Sequence, residues 1–238
     1  MNIALLGYGK MGKVIEKIAI NRGHSIILKV DKNFTDYDIS KVDIAIDFSV
    51  PSAAVSNISN CLNHNIPVIS GTTGWLDNYD TMVKLCNEKR GAFIYASNFS
   101  LGVNVFFELN KTLAKMMRAL KQYDVSIEEI HHTQKLDAPS GTAISLANDI
   151  IEHTDYNDWE LVNNDSSDAP NNAVPIVAKR IENIPGTHTI KYASEVDNIS
   201  MTHVANNRHG FALGAVIAAE WLLGKTGVYS MKDVLNIG

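Results

Sequence analysis

Residues 3–12 read IALLGYGKMG, and this stretch decides the fold expected for the first part of the chain. The apolar run at 3–6 has the length of a short strand, and the glycines after it match the pattern G-x-G-x-x-G. Apolar residues then recur at 11, 14, 15, 18 and 19, which is helical spacing. This order favours a dinucleotide-binding βαβ unit, because N–H groups at the helix start can approach a pyrophosphate.

An acidic residue follows the second predicted strand, which covers residues 25–30. This residue, Asp31, lies about 20 residues beyond the glycine pattern, where a carboxylate can accept hydrogen bonds from an adenosine ribose. Lys32 follows, and its charge either pairs with a 2′-phosphate or stays at the surface. We therefore expect NADH as the cofactor, with NADPH as an alternative. A glycine turn without a ligand is the other interpretation of the whole pattern.

The rest of the first hundred residues alternates short apolar runs with amphipathic segments. Further strands are predicted at residues 43–48, 67–70 and 92–96, with helices at 51–63 and 78–89. This alternation indicates βαβ units and a parallel sheet. After residue 98 we predict helices at 103–120, 142–151 and 211–223, a loop at 155–172, and strands at 125–132, 173–181, 187–193 and 196–204. The predicted fold class is α/β, with a Rossmann-like parallel-sheet cofactor domain and an α+β substrate domain that has a mixed or antiparallel sheet.

Two further loops follow predicted strands, where ligands bind in open α/β sheets. Their small residues and their hydroxyl or amide groups suit contacts to the ribose and carboxamide of a nicotinamide, although ordinary turn chemistry also explains each loop. Together with the glycine turn, these loops give the predicted cofactor-binding residues: Gly7, Tyr8, Gly9, Lys10, Met11, Gly12, Asp31, Lys32, Gly71, Thr72, Thr73, Ala96, Ser97, Asn98 and Phe99.

Residues 128–142, EEIHHTQKLDAPSGT, form the densest cluster of reactive side chains. The cluster joins polar side chains after a strand with small residues at a helix start: His131, His132, Lys135, Ser140, Gly141 and Thr142. Unpaired N–H groups and the helix dipole favour an anion at such a start, so we predict a pocket for a small acid with one or two carboxylates. A histidine can also exchange a proton near neutral pH. The alternative is that these are packing, capping and turn residues.

A metal site is not predicted at this cluster. Neighbouring residues on a strand point to opposite faces, so His131 and His132 would not share an ion. We also expect no carboxylate at ligand spacing on either histidine.

Composition argues against several classes of protein. The chain of 238 residues has a formal net charge of -5 with interspersed charges, so no nucleic-acid partner is expected. No apolar run approaches the ~20 residues of a membrane span, and the first glycines come too early for a secretory signal. Cys61 and Cys86 lie in no metal or redox motif, which suits reduced thiols. These features predict a cytoplasmic protein without a membrane partner.

Residues 131–143 read His-His-x-x-Lys-x-Asp-Ala-Pro-Ser-Gly-Thr-Ala. This pattern resembles a signature of the 4-hydroxy-tetrahydrodipicolinate reductases, also called dihydrodipicolinate reductases. Further motifs similar to those of that family occur in the family's order at residues 47–51, 71–74, 98–104, 180–188 and 208–215. The likeness therefore covers nearly the whole chain.

The resemblance implies NAD(P)H-dependent reduction of 4-hydroxy-tetrahydrodipicolinate to tetrahydrodipicolinate, in the diaminopimelate route of lysine synthesis. It implies a dinucleotide-binding domain of residues 1–99 and 208–238, and a substrate-binding and oligomerisation domain of residues 100–207. In such an enzyme His131 exchanges the proton and Lys135 acts as a donor. The residues expected to bind the dicarboxylate substrate are His132, Ser140, Gly141 and Thr142. Members are usually homotetramers assembled through the sheet of the second domain.

The chain departs from the family pattern in its glycine loop, which is one residue shorter than is common and has Lys10 where an Arg is usual. It is also short for the family. Two other functions fit the residues less well. Another Rossmann-type amino-acid dehydrogenase would lack the two-histidine, lysine and helix-start cluster. A non-enzymatic sensor of NADH would need a partner surface or a DNA-binding element, and it would not need a proton donor.

Overall fold

A computed structural model describes residues 1–31, 37–163, 170, 172–207 and 209–237. The chain divides into two compact units, the first formed by Met1–Leu101 with His209–Gly238 and the second by Gly102–Arg208. Lys32, one of the predicted cofactor residues, lies outside the described residues. Within the described part of the chain, no helix is long and apolar enough to cross a membrane.

The elements follow one another in chain order. They are β1 (Asn2–Leu6), α1 (Lys10–Asn21), β2 (Ser25–Val30), β3 (Ile44–Asp47), α2 (Pro51–Asn63), β4 (Val68–Ser70), a 3-10 turn (Leu76–Asn78), α3 (Tyr79–Glu88), β5 (Ala92–Tyr95), α4 (Leu101–Met117), β6 (Asp124–His131), α5 (Gly141–His153), β7 (Asp158–Val162), β8 (Ala173–Arg180), β9 (Gly186–Ala193), β10 (Asn198–Ala205), α6 (His209–Leu222), β11 (Gly227–Tyr229) and α7 (Met231–Leu235).

The first unit is built on a six-stranded parallel sheet in the order β11-β5-β4-β3-β1-β2. The central strands are buried on both faces, which explains why they are continuous apolar runs rather than alternating ones. The strand order reverses between β1 and β3, and ligands of open parallel sheets bind at the carboxyl ends of the strands beside such a reversal. The predicted parallel-sheet domain is confirmed.

The C-terminal segment adds a strand to this sheet that was not predicted, although residues 208–238 were assigned to this domain. We predicted that helix 211–223 would close the chain, but β11 follows it and pairs with β5. The strand is only three residues long and is half-buried, so it carries no clear periodic signal. Helix α6 packs closely against the backbone after β5, because its buried face is made of small residues. A Cβ at Gly214 would lie 1.7 Å from the carbonyl oxygen of Phe99.

The second unit has a five-stranded sheet in the order β10-β9-β6-β8-β7. Strand β6 runs parallel to β8 and antiparallel to β9, so the sheet is mixed, as predicted. Strand β7 was missed, because residues 155–172 were predicted to be loop. Its five residues contain only one buried position, Val162, and the strand is defined by its parallel pairing with β8 rather than by a local pattern.

Candidate active site

The glycine turn after β1 has the geometry of a dinucleotide-binding loop. Gly7 has φ +98°, and a Cβ there would lie 2.2 Å from the carbonyl oxygen of Phe48. A Cβ at Gly12 would lie 2.5 Å from the carbonyl oxygen of Gly7, so this glycine allows α1 to approach the turn. Gly9, by contrast, has nothing within 4 Å of its Cβ position. It therefore leaves the N-terminus of α1 open, and these three environments fit a pyrophosphate at that helix end.

The end of β2 lies beside this turn. The N–H groups of Gly7 and Tyr8 both donate to the carbonyl oxygen of Val30, at 3.0 and 2.9 Å. Asp31 follows Val30 directly, which places it next to the glycine turn as the sequence predicts for a ribose-binding carboxylate. Lys10 is exposed at the start of α1.

Tyr8 is fixed by two side chains that the sequence analysis did not select. Its hydroxyl donates to Glu16, and the Lys29 ammonium lies 4.8 Å from the centre of its ring. Lys29 also pairs with Glu16 at 2.5 Å. The hydrogen bond from Lys29 is the main cause that lowers the pKa of Glu16. The contacts join the glycine turn, α1 and β2, so Tyr8 is held at the edge of the turn.

A cavity of about 220 Å³ opens at the carboxyl ends of β3 and β4. Its lining is Met11, Phe48, Ser49, Pro51, Gly71, Thr72 and Thr73. Four of these residues were predicted to bind the cofactor, whereas Phe48, Ser49 and Pro51 were not. These three residues could have been predicted from their position after β3, because β3 is one of the two strands between which the strand order reverses.

The fully buried carboxylate of Asp47 binds side chains that line this cavity. Its oxygens accept hydrogen bonds from Ser49 (2.6 Å), Asn57 (2.9 Å), Ser70 (2.7 Å) and Thr72 (2.8 Å). Burial raises the pKa of Asp47, and the four hydrogen bonds act in the opposite direction. Since Ser49 and Thr72 line the cavity, Asp47 holds the loops after β3 and β4 in one arrangement.

The loop after β5 contributes less side-chain surface than predicted. The N–H of Ala96 donates to the carbonyl oxygen of Ser70, so this loop adjoins the one after β4. Ser97 is exposed, and the buried Asn98 accepts a hydrogen bond from the N–H of Ser100 at 2.8 Å. Phe99 is only 1% exposed and belongs to the hydrophobic core. Its ring therefore supports the site from within the core.

In the second unit, strand register brings the reactive side chains together. Glu129 and His131 lie two residues apart on β6 and share a face. His188 of β9 is directly opposite Glu129, and Arg180 of β8 is directly opposite His131. Only His131 of these four was predicted as a site residue, although Arg180 and His188 lie in the family-like motif at residues 180–188. Glu129 was detectable from its spacing, whereas Arg180 and His188 are brought in by pairing with distant strands.

Glu129 is the centre of this cluster. Its Oε1 accepts a hydrogen bond from Arg180 Nη2 at 3.0 Å and one from the N–H of Ser140 at 3.1 Å. Its Oε2 lies 2.6 Å from His131 Nδ1, so the two side chains form an ion pair when the imidazole is protonated. Burial by itself would raise the pKa of Glu129, but its interactions with His131, Ser140 and Arg180 outweigh burial and lower it to about 2. The carboxylate is therefore ionised at neutral pH.

His188 is buried beside this carboxylate. Burial, followed by the nearby His131, lowers the pKa of His188 to about 4, so its ring is neutral at neutral pH. Its Nε2 lies 3.1 Å from the hydroxyl of Ser140. That hydroxyl also caps α5 by accepting a hydrogen bond from the N–H of Ala143 at 3.2 Å. Ser140 is 2% exposed, so the structure places it as a cap and a support of the cluster.

Hydrogen bonds from Arg180 connect the loop that contains Lys135 to the same cluster. The Arg180 guanidinium donates to the carbonyl oxygens of Lys135 at 3.3 Å and Asp137 at 2.6 Å, besides its bond to Glu129. The Lys135 ammonium pairs with both carboxylate oxygens of Asp137, at 2.7 and 2.9 Å. This pairing lowers the pKa of Asp137. Lys135 is thus held by an exposed carboxylate that an incoming anion can replace.

The start of α5 presents the backbone N–H groups that were predicted from the sequence to bind an anion. Gly141 is exposed and has nothing within 4 Å of its Cβ position, and Thr142 is half-buried beside it. Their N–H groups lie in the first helical turn, where backbone donors lack partners within the helix. His132 follows the end of β6, and its carbonyl oxygen accepts the N–H of Lys135 at 3.1 Å.

One expectation about metal binding was wrong. We expected no carboxylate at ligand spacing on the histidines, but Glu129 lies beside His131 because residues two apart on a strand share a face. Ligand-type atoms of Glu129, His131 and His188 lie within 4.8 Å of one another. The same carboxylate already binds the Arg180 guanidinium, which supplies positive charge at this place. Glu129, His131, His188 and Arg180 therefore form one largely buried cluster of charged and titratable side chains.

A glycine turn at the reversal point of a parallel sheet, together with a buried cluster of histidines and a carboxylate, is typical of dinucleotide-dependent oxidoreductases. Two family models match the chain, "Dihydrodipicolinate reductase, N-terminus" over residues 1–99 and "Dihydrodipicolinate reductase, C-terminus" over residues 102–235. The chain belongs to the dihydrodipicolinate reductase family. It is accordingly an NAD(P)H-dependent oxidoreductase of lysine and diaminopimelate synthesis, which confirms the family, enzyme class and cofactor expected from the sequence.

Individual relatives agree with this assignment. The chain is 57% identical to a 4-hydroxy-tetrahydrodipicolinate reductase of Christiangramia forsetii, over 99% of this chain and 98% of the relative. It is 33% identical to the enzyme of that name from Neisseria gonorrhoeae, over 93% and 84% of the two chains. A solved dihydrodipicolinate reductase from Paenisporosarcina sp. TG-14, described as dipicolinate-bound, has a similar fold, with a TM-score of 0.76, 23% identity and 97% coverage of both chains.

Proposed function

We propose that this chain reduces 4-hydroxy-tetrahydrodipicolinate to tetrahydrodipicolinate, with loss of the hydroxyl group as water and with His131 as the donor of the proton that is added to carbon. The main observation in support is the ion pair between Glu129 and His131, next to the start of α5. Reduced nicotinamide supplies the hydride when it is bound. The carbon that becomes electron-rich on reduction must then take a proton, and an imidazolium can deliver it near neutral pH.

The proposed substrate is a small cyclic dicarboxylate, since the solved relative is described as dipicolinate-bound. One carboxylate binds the N–H groups of Gly141 and Thr142, where the dipole of α5 stabilises negative charge. His132 contributes to the same carboxylate-binding region. Lys135 exchanges its ion pair with Asp137 for the substrate, so that it acts as a donor to the reacting molecule. Ser140 caps the start of α5, because its hydroxyl accepts a hydrogen bond from the N–H of Ala143.

The two units have separate proposed roles. The first binds NADH or NADPH through the glycine turn, Asp31, and the loops after β3, β4 and β5. The second binds the substrate and also forms a homotetramer. Strand β10 supports the assembly role, because it is an edge strand with partly exposed apolar residues, Ile199 and Val204. A cytoplasmic location without a nucleic-acid or membrane partner fits the mild net negative charge.

The test is a coupled assay in which a synthase forms the substrate in place from pyruvate and aspartate semialdehyde. NADH and NADPH oxidation are followed in parallel. Turnover should require both precursors and the synthase, and His131→Gln should lower kcat by about 10²–10⁴-fold, the usual contribution of a general acid or base. Unchanged turnover in this variant would remove His131 from the reaction. Light scattering after size-exclusion chromatography tests the tetramer separately.

A further inference from the structure

The two nitrogens of the His131 ring have different surroundings. Nδ1 faces Glu129 Oε2 at 2.6 Å, and the Glu129 side chain is fully buried. The other oxygen of Glu129 is fixed by Arg180 from β8 and by the N–H of Ser140 at the start of α5. The carboxylate is therefore held by groups from two other elements, and its direction towards Nδ1 cannot easily change.

The opposite nitrogen, Nε2, lies over Gly186 at the start of β9. A Cβ at this glycine would be 3.1 Å from His131 Nε2 and 3.3 Å from Cδ2. Gly186 lies in a regular antiparallel strand, paired with Ala205, so the ladder itself does not call for a glycine. The glycine leaves space beside His131, because a side chain at this position would contact the edge of the imidazole that carries Nε2.

We propose that Glu129 is a positioning residue that keeps a proton on Nδ1 of His131 and directs Nε2, over Gly186, to the reacting molecule. The inference rests on the proposed role of His131 as proton donor. In the transfer, the Nε2–H bond breaks and the proton moves to the substrate carbon that becomes electron-rich when the hydride adds at another carbon. The ring is left neutral, with its remaining proton on Nδ1, so it need not rotate before it is protonated again at Nε2.

The charges around the ring support this assignment. Glu129 is ionised at neutral pH because its pKa is lowered to about 2. A buried carboxylate that faces Nδ1 favours a ring proton on that nitrogen, because the oxygen can accept a hydrogen bond from Nδ1–H, and its negative charge stabilises the imidazolium that precedes transfer. His188, whose ring stacks edge-on at 5.1 Å from that of His131, is neutral under the same conditions. The Arg180 guanidinium is bound by the other oxygen of the carboxylate, and the Lys135 ammonium is paired with Asp137.

The decisive variant is Glu129→Gln, which keeps the shape of the side chain and removes its charge. Its amide N–H would donate to Nδ1, which shifts the ring proton to Nε2 and reverses the required tautomer. We expect kcat to fall by about 10²-fold or more, with no change in NADH binding measured by fluorescence titration. Glu128→Gln is the matched control. Glu128 is the neighbour on the opposite face, half-exposed and paired with Lys179, so this change should leave kcat within about twofold.

Gly186→Ala tests the other side of the ring. The added methyl group should lower kcat by covering Nε2, while the ring proton stays on Nδ1. A Gly186→Ala variant with wild-type kcat would refute the assignment of Nε2 as the reacting atom.

Nitrogen NMR of histidine-labelled protein reads the tautomer directly, at a pH where the ring is neutral. The His131 signals are identified by their loss in His131→Gln. The wild type should show the Nδ1–H form and Glu129→Gln the Nε2–H form. A wild type in the Nε2–H form would overturn the proposal even if Glu129→Gln did not fold. Wild-type turnover in His131→Gln would instead refute the proposed donor, whatever the tautomer.

Discussion

Acidification should destabilise the second unit through His188, and the size of the effect follows from its burial. The folded-state pKa is about 4, whereas an unfolded histidine has a pKa of about 6.5. Between these values the unfolded chain binds more protons than the folded one, so stability is lost as pH falls. Integrated from pH 7 to pH 5, a single group with these pKa values contributes a loss of about 2 kcal/mol.

The assay is urea unfolding of the wild type and His188→Gln at pH 7 and pH 5. Glutamine can still bond to the hydroxyl of Ser140, but it cannot take up a proton in this range. The wild type should lose about 2 kcal/mol more than the variant over this interval. His203, whose pKa is also lowered by burial, is present in both proteins, so its contribution cancels. Glu129 releases its contribution only below about pH 4.5, since its pKa is lowered to about 2. Equal losses in the two proteins would refute the buried neutral state of His188.

Three further outcomes are expected. Gly7→Ala should lower the free energy of unfolding by more than roughly 1–2 kcal/mol, the usual cost of a left-handed conformation for a residue with a side chain, because its Cβ also meets Phe48. Gly9→Ala should fold normally and weaken NADH binding. Urea unfolding measures the first effect and calorimetric titration with NADH measures the second, and an equal loss of stability in the two variants would contradict these separate roles. Asp31→Ser should raise the NADPH to NADH ratio of kcat/KM by roughly 10-fold, since a carboxylate repels a 2′-phosphate, and an unchanged ratio would place specificity elsewhere. Lys135→Ala should severely lower kcat/KM, while wild-type kcat and KM would make the lysine a surface residue.

Local patterns made much of the site predictable. The glycine turn was found because the close approaches at Gly7 and Gly12 impose glycine at fixed positions along the chain. The start of α5 was found because a cap residue and small residues mark a helix N-terminus. Both features leave a local mark in the sequence, so the amino-acid sequence by itself determined them, although the backbone that excludes a side chain at Gly7 is that of the distant Phe48.

Tertiary structure decided the features that depend on pairing between distant segments. Strands β7 and β11 form because β8 and β5 offer open edges, not because their own residues alternate. Glu129 becomes the centre of the site only when β8 brings Arg180 and β9 brings His188 to the same face. Phe99 lies in the core for a similar reason, because α6 packs against its backbone. The physical reason is that burial and strand register are properties of the assembled sheets, whereas propensity and turn geometry belong to the local chain.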